Sequence, residues 1–173
     1  MSAPRLPRGR HKLSREQVAA AQRSRMITAT AEAMAERGYV NTPVAEIIKR
    51  AGVSRETFYQ QFGSKQDCFV AALEEALGGL SSLMASLPEQ GTPIERFERL
   101  IGAYLGVLAG APQSARLFLI EVYAAGPAVS RRRTQLQQPF VDGLAQIFGA
   151  TSARGRFAVE ALVAAIVSLV TAR

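Results

Sequence analysis

The chain has 173 residues, 48% apolar and 20% charged, which suits one compact body with a real core and excludes a disordered polymer. A lone cysteine, Cys68, and a lone histidine, His11, leave no intrachain disulfide, no Cys/His metal cluster and no histidine triad. The net charge is +7, and all of it lies in residues 1–65, with twelve Lys and Arg against five Glu; residues 66–173 hold nine of each sign. One-sided placement points to a polyanionic partner for the first third, the plainer alternative being a basic segment that only solvates.

Residues 1–13 carry almost nothing apolar and read as a basic flexible tail, whose Arg5, Arg8, Arg10 and Lys12 suit a minor-groove arm or a non-specific phosphate attractor. The N-terminus lacks the apolar segment of a secretory signal, and the longest uncharged apolar run, ALVAAIVSLV (161–170), is about half a membrane span. A soluble, cytoplasmic protein with no membrane partner is expected.

Every later segment has helical periodicity, and no strand pattern is present. Ser14 and Gln17 form a capping box for a first helix over 15–37, with Ile27, Ala31, Met34 and Ala35 as its core stripe. Gly38 stops it in a left-handed turn, and Tyr39 and Val40 fold back on the stripe. Thr42 caps a second helix with Pro43 at its first position, and Val44, Ile47, Ile48 and Ala51 face inward. Gly52 ends it, Val53 plugs the corner, and Ser54 caps a short third helix. After Gly63, Ser64 caps a long fourth helix running towards Ala76 or Leu87.

Beyond the SLPEQGTP loop (86–93), a fifth helix carries Phe97, Ile101, Tyr104, Leu105 and Leu108 on one side, and a sixth spans 113–125. A seventh, with Leu136, Phe140, Leu144 and Phe148, is kinked or restarted by Pro139. An eighth, from about Arg154, is apolar around nearly its whole circumference and must be buried by the domain or by another chain.

Residues 43–62 have helix-turn-helix spacing around Ala51-Gly52-Val53. Phe58 and Phe62 form the inner face of the second of these helices. Outside them lie Arg55, suited to guanine, Gln60 and Gln61, suited to adenine, Thr57, suited to a thymine methyl, and Tyr59, suited to phosphate. Lys65 begins the fourth helix, where free amides already favour an anion, and Thr42 has the equivalent place at the second. Pro43 and Ser54 complete the candidate DNA-contacting set.

The segment RGYVNTPVAEIIKRAGVSRETFYQQFGSKQDCF (37–69) resembles the DNA-binding region of the TetR family of transcriptional regulators, through Gly38-Tyr39, Thr42, Ile47-Ile48, Ala51 to Ser54, Thr57 to Tyr59, Phe62, Ser64-Lys65 and Phe69. The resemblance implies an all-α homodimer: a three-helix helix-turn-helix DNA-binding domain (14–66), then a helical effector-binding and dimerisation domain (67–173). It assigns Thr42, Tyr59 and Lys65 to phosphates, and Arg55, Thr57 and Gln60 to base edges or their neighbours. Gln61 stands where a His is often found. Similar proteins usually carry one more helix after the eighth, and this sequence stops at Arg173.

In the second region Phe97, Tyr104, Leu108, Phe118, Val122, Tyr123, Phe140 and Leu144 are candidates to line an inducer pocket, although at helical spacing each is core by default. They suit an apolar or aromatic effector, with Tyr104 and Tyr123 as polar anchors and Arg132, on the stripe of Leu136 and Phe140, as a carboxylate partner. Cys68, beside Phe69, reads as buried and unsuited to a redox switch. No cofactor or metal is expected, and the absence of a catalytic constellation speaks against an enzyme. The expected function is a sequence-specific regulator, a repressor released by a small molecule, binding a double-stranded DNA operator. The alternative is a non-specific nucleoid-type DNA binder.

Overall fold

The computed structural model describes residues 14–172, so the basic tail expected over 1–13 lies outside the described residues. Among them the chain is helical and without strands: α1 (Arg15–Arg37), α2 (Val44–Ala51), α3 (Arg55–Gln61), α4 (Lys65–Ala85), α5 (Pro93–Gly110), α6 (Pro112–Leu119), a 3-10 segment (Glu121–Ala125), α7 (Pro127–Leu136), α8 (Gln138–Ile147) and α9 (Ala153–Thr171).

Local chemistry sets most of these ends. Ser14 and Gln17 exchange both hydrogen bonds of a capping box, and Thr92 and Glu95 do the same at α5. Ser54, Ser64 and Ser152 accept from the amides of Thr57, Asp67 and Gly155. Gly52 ends α2 at φ 62°, ψ 43°, a left-handed conformation natural to glycine. Gly38 also has positive φ, 77°, but with ψ 163° it leaves α1 extended rather than through a left-handed turn.

Several expectations change. Pro43, not Thr42, is the N-cap of α2, and no side chain caps that helix. Val40 is exposed, so only Tyr39 folds back on the core, against Phe69. The stripe of α5 is set by buried Leu100 and Tyr104, leaving Leu105 exposed. The sixth helix ends at Leu119 and continues as a 3-10 turn. The expected seventh divides into α7 and α8, with Pro139 in the first turn of α8, where a missing amide hydrogen costs nothing.

Two apolar cores result. The first joins Met26, Ile27, Met34, Ile47, Phe58, Phe62, Phe69 and Leu73 to Leu117, Val122, Ala125 and Val129, so α6 and α7 close the core of the first four helices. The second, between α5, α8 and α9, is Leu100, Val141, Leu144, Ala145, Val159 and Val163. By length and composition α4 is long and apolar enough to cross a membrane, but Cys68, Phe69, Ala71, Ala72 and Leu73 put one of its faces in the first core.

Candidate nucleic-acid interface and effector cavity

The α3 surface follows from its two anchors. Phe58 and Phe62 are buried with their rings 5.8 Å apart, which turns the remaining side chains outward. Arg55 and Gln60 are exposed, Tyr59 is 45% exposed, and Thr57 and Gln61 are half-exposed. Tyr59 meets Phe58 edge-on at 5.3 Å, while the Arg55 guanidinium lies 5.5 Å from the Tyr59 ring centre. Thr57 Oγ1 and Ser54 Oγ share a hydrogen bond of 2.9 Å, and Gln60 Nε2 donates to Glu56 Oε1 at 3.2 Å. Pro43 and Ser54 are exposed at the starts of α2 and α3.

Two expected phosphate ligands make hydrogen bonds within the protein. Thr42 is fully buried, and its hydroxyl lies 3.2 Å from the carbonyl of Ala33 and 2.8 Å from that of Gly38, so this side chain fastens the α1–α2 connection from within. Its backbone amide donates to Tyr39. Lys65 is half-buried; its ammonium donates to the Tyr39 carbonyl at 2.8 Å and sits 4.3 Å from the Tyr39 ring centre. Burial holds the Lys65 ammonium below its ordinary pKa.

Arg23 of α1 lies over the Phe62 ring at 4.5 Å, adding a cation behind α3 that no local sequence pattern marks. Arg50 braces the unit: it donates to Glu46 at 2.9 Å and to both oxygens of Glu36 at 2.8 and 2.5 Å, tying α2 to α1. Those bonds hold both carboxyls below the usual range and raise the pKa of Arg50.

Behind this unit lies a cavity of about 680 Å³. Its walls come from α1 (Ile27, Ala31), α4 (Leu77, Leu80, Met84), α5, α6, α7, α8 and α9. Four of the eight candidate ligand residues line it: Tyr104, Leu108, Phe118 and Phe140. The other four do not. Val122 and Leu144 are fully buried members of the two cores, Phe97 packs beside the second core with its ring 5.6 Å from Phe148, and Tyr123 is exposed on an outer groove. Helical spacing gives a residue's side of its own helix but not which neighbour covers it, and the neighbour decides between core and cavity.

Arg132 is corrected as well. It reaches outward to Glu74 of α4 at 2.5 Å, whereas Arg133 is buried and lines the cavity. Cys68 is fully buried and shares a 3.0 Å hydrogen bond with Thr30; burial pushes its thiol up to about 11. Among the described residues no cluster of His, Cys, Asp and Glu could hold a metal ion.

An exposed, donor-bearing short helix set on a buried pair of aromatics, one tight turn after another helix, is the arrangement of a helix-turn-helix unit. Residues 26–72 match the family model described as bacterial regulatory proteins, tetR family. The chain is 33% identical over 86 residues to the fatty acid metabolism regulator protein of Bacillus subtilis, covering 49% of this chain and 44% of that one. It is 28% identical over 110 residues to the transcriptional activator FasR of Mycolicibacterium smegmatis, covering 63% and 50%. Among solved structures it is similar to the regulator FadR from Bacillus subtilis in complex with stearoyl-CoA, with a TM-score of 0.76, 25% identity, and coverage of 86% of this chain and 85% of that one. Residues 26–72 therefore carry the DNA-binding region of the TetR family, on a chain with the fold of the solved FadR regulator. The chain spans about half the length of the two curated relatives named here.

Proposed function

We propose that this protein is a cytoplasmic, sequence-specific DNA-binding regulator, a repressor that leaves its operator when a small apolar effector occupies the cavity. The observation that carries the reading is a shared wall. The helices that hold the helix-turn-helix, α1 and α4, also line the cavity through Ile27, Ala31, Leu77, Leu80 and Met84. A ligand there contacts the elements whose position sets where α3 lies. Release requires the ligand to favour an arrangement that DNA does not, because a ligand binding both states equally shifts nothing.

A homodimer completes the reading. In α9 only Val159 and Val163 are buried, while Phe157 is 70% and Leu169 66% exposed, with Ala161 and Ala165 between them on one side. Pairing two such faces covers apolar surface and gives two reading helices, which half-sites about 34–36 Å apart would require. Arg55, Thr57, Gln60 and Gln61 then face bases, and Tyr59, with the amide ends at Pro43 and Ser54, faces phosphates.

The test is a duplex selected from a random pool, compared with unselected duplex at one salt concentration. Preference for the selected site by about a thousandfold or more supports the reading, with Arg55→Ala reducing it by roughly tenfold or more. Equal affinity for both duplexes replaces it with non-specific, nucleoid-type binding. Promoter assays with and without the selected site decide between repression and the activation that FasR's name describes.

A further inference from the structure

Arg133, at the end of α7, is 6% exposed. Its Nη1 donates to the hydroxyl of Tyr123 at 3.0 Å, its guanidinium carbon lies 5.6 Å from the centre of the same ring, and its Nη2 has no hydrogen-bond partner. Among the described residues no carboxylate pairs with it. Nearby acids are otherwise engaged, Glu74 by Arg132 and Glu121 by Arg116, and exposed Glu160, on the outer groove that Arg133 also lines, is not within ion-pair distance. Its charge opposes the upward push that burial gives the hydroxyl of Tyr104, which lines the same cavity.

A buried, unpaired guanidinium is costly, and proteins normally keep one only against an anion. A fold with no use for this charge would be better served by Leu or Met at 133. The remaining charges on the cavity wall are carboxylates on α1 and α4, Glu32, Glu36 and Glu75, which would repel an anion from that side. The wall between is largely apolar.

We infer that the cavity takes an apolar molecule with an anionic head, held by the buried Arg133 guanidinium on the α7 side, with its apolar body lying towards α1 and α4. This deepens the effector reading and rests on it. Carboxylate and phosphate heads share the required chemistry. A planar carboxylate also matches the guanidinium fork, and a cavity of about 680 Å³ falls within the usual range for small-molecule sites.

Calorimetry on the purified full chain, without DNA, tests this with dodecanoate, dodecanol and dodecanoyl-CoA. Dodecanoate or the CoA thioester should bind at least about tenfold more tightly than dodecanol, as a charge-assisted hydrogen bond predicts. Preference for the free acid assigns a carboxylate head, and preference for the thioester a phosphate head. Arg133→Met should abolish the preference while leaving dodecanol affinity within about twofold, and should leave the ligand-free melting temperature unchanged or higher. Arg133→Lys should keep part of the preference.

Equal binding of acid, thioester and alcohol to the unaltered chain overturns the inference and needs no variant. So does an Arg133→Met protein that keeps the preference, melts lower without ligand, or changes from dimer to monomer, since each gives the arginine a structural partner. No binding of any of the three overturns this inference and the effector reading together. Anion binding that leaves operator affinity unchanged supports the inference and removes only the release mechanism.

Discussion

The two cores are built to different tolerances. The first contains Phe58, Phe69, Met26, Met34, Ile47, Leu73, Leu117 and Val122, all essentially without solvent exposure; in the second only Leu144 is fully buried and its neighbours keep a few per cent exposure, and the cavity borders both, through Ile27 and Ala72 of the first and Val163 of the second. A reading helix only seven residues long cannot hold its own geometry, so its position must be fixed by tight packing. A sensor needs the opposite, since a region without spare volume has nowhere to put a ligand and little freedom to change shape.

The largest expected effect tests whether these tolerances are separable. Phe58→Ala should cost about 3–5 kcal/mol and abolish DNA binding, because it removes the anchor of α3 from a closed core. Leu144→Ala should cost about 2–5 kcal/mol by the same cavity argument, yet leave DNA affinity intact at temperatures where the protein stays folded. Urea unfolding with parallel DNA titrations checks both. Loss of DNA binding by a folded Leu144→Ala protein would mean that the reader depends on the second core as much as on the first.

The same contrast governed how much the sequence disclosed. In the first region the determinants are local: Ser14 with Gln17, Gly52 at a left-handed turn, Ser54 and Ser64 as caps, and two phenylalanines one turn apart. These fixed α1 to α4 and the outward set on α3. The partners of Thr42 and Lys65, namely Ala33, Gly38 and Tyr39, were not legible because they come from tertiary folding of a connection and not from helix spacing. In the second region the determinants are distant. Nothing local tells Arg132 from Arg133, since adjacent residues differ by about 100° around a helix and only the position of α4 and the cavity decides which is buried. Phe97, Val122 and Leu144 likewise have the spacing of pocket residues and lie in or against packed cores.

A smaller effect comes from Cys68 inside the first core. Its folded pKa is raised from about 9 to about 11, so its contribution is fully present below pH 9 and is lost as pH rises through 11. Two pKa units correspond to about 2–3 kcal/mol. The unaltered chain should therefore lose stability between these pH values faster than Cys68→Ala, the difference isolating the thiol from tyrosines and lysines that titrate nearby. Identical slopes would show a thiol that water reaches, and hence a looser first core than its packing indicates.

Thr42→Val should have a smaller effect still. It removes a hydroxyl that bonds to Ala33 and Gly38 but keeps the shape, at a cost of about 1–2 kcal/mol. If Thr42 acts as this internal fastener, DNA affinity under fully folded conditions changes little. A protein of unchanged stability with weakened, less salt-sensitive DNA binding would return the residue to the phosphate role the resemblance implied.

Arg50 should have the smallest effect on stability and the most informative one on the link between the regions. Its partners divide across that link: Glu46 belongs to α2, while Glu36 is on α1 and lines the cavity. These groups are near the surface, where ion pairs contribute little and are screened by salt, so Arg50→Met should shift the melting temperature only slightly, and less in 1 M salt. Both carboxyls are held below their ordinary 4.5, so the brace is complete above that pH and is lost as pH falls through the lowered values. If it transmits ligand binding, the ratio of operator affinities with and without effector should shrink in Arg50→Met at neutral pH while each binding event remains measurable. A ratio unchanged by the substitution would leave direct contact of the ligand with α1 and α4 as the route by which the loose region moves the tight one.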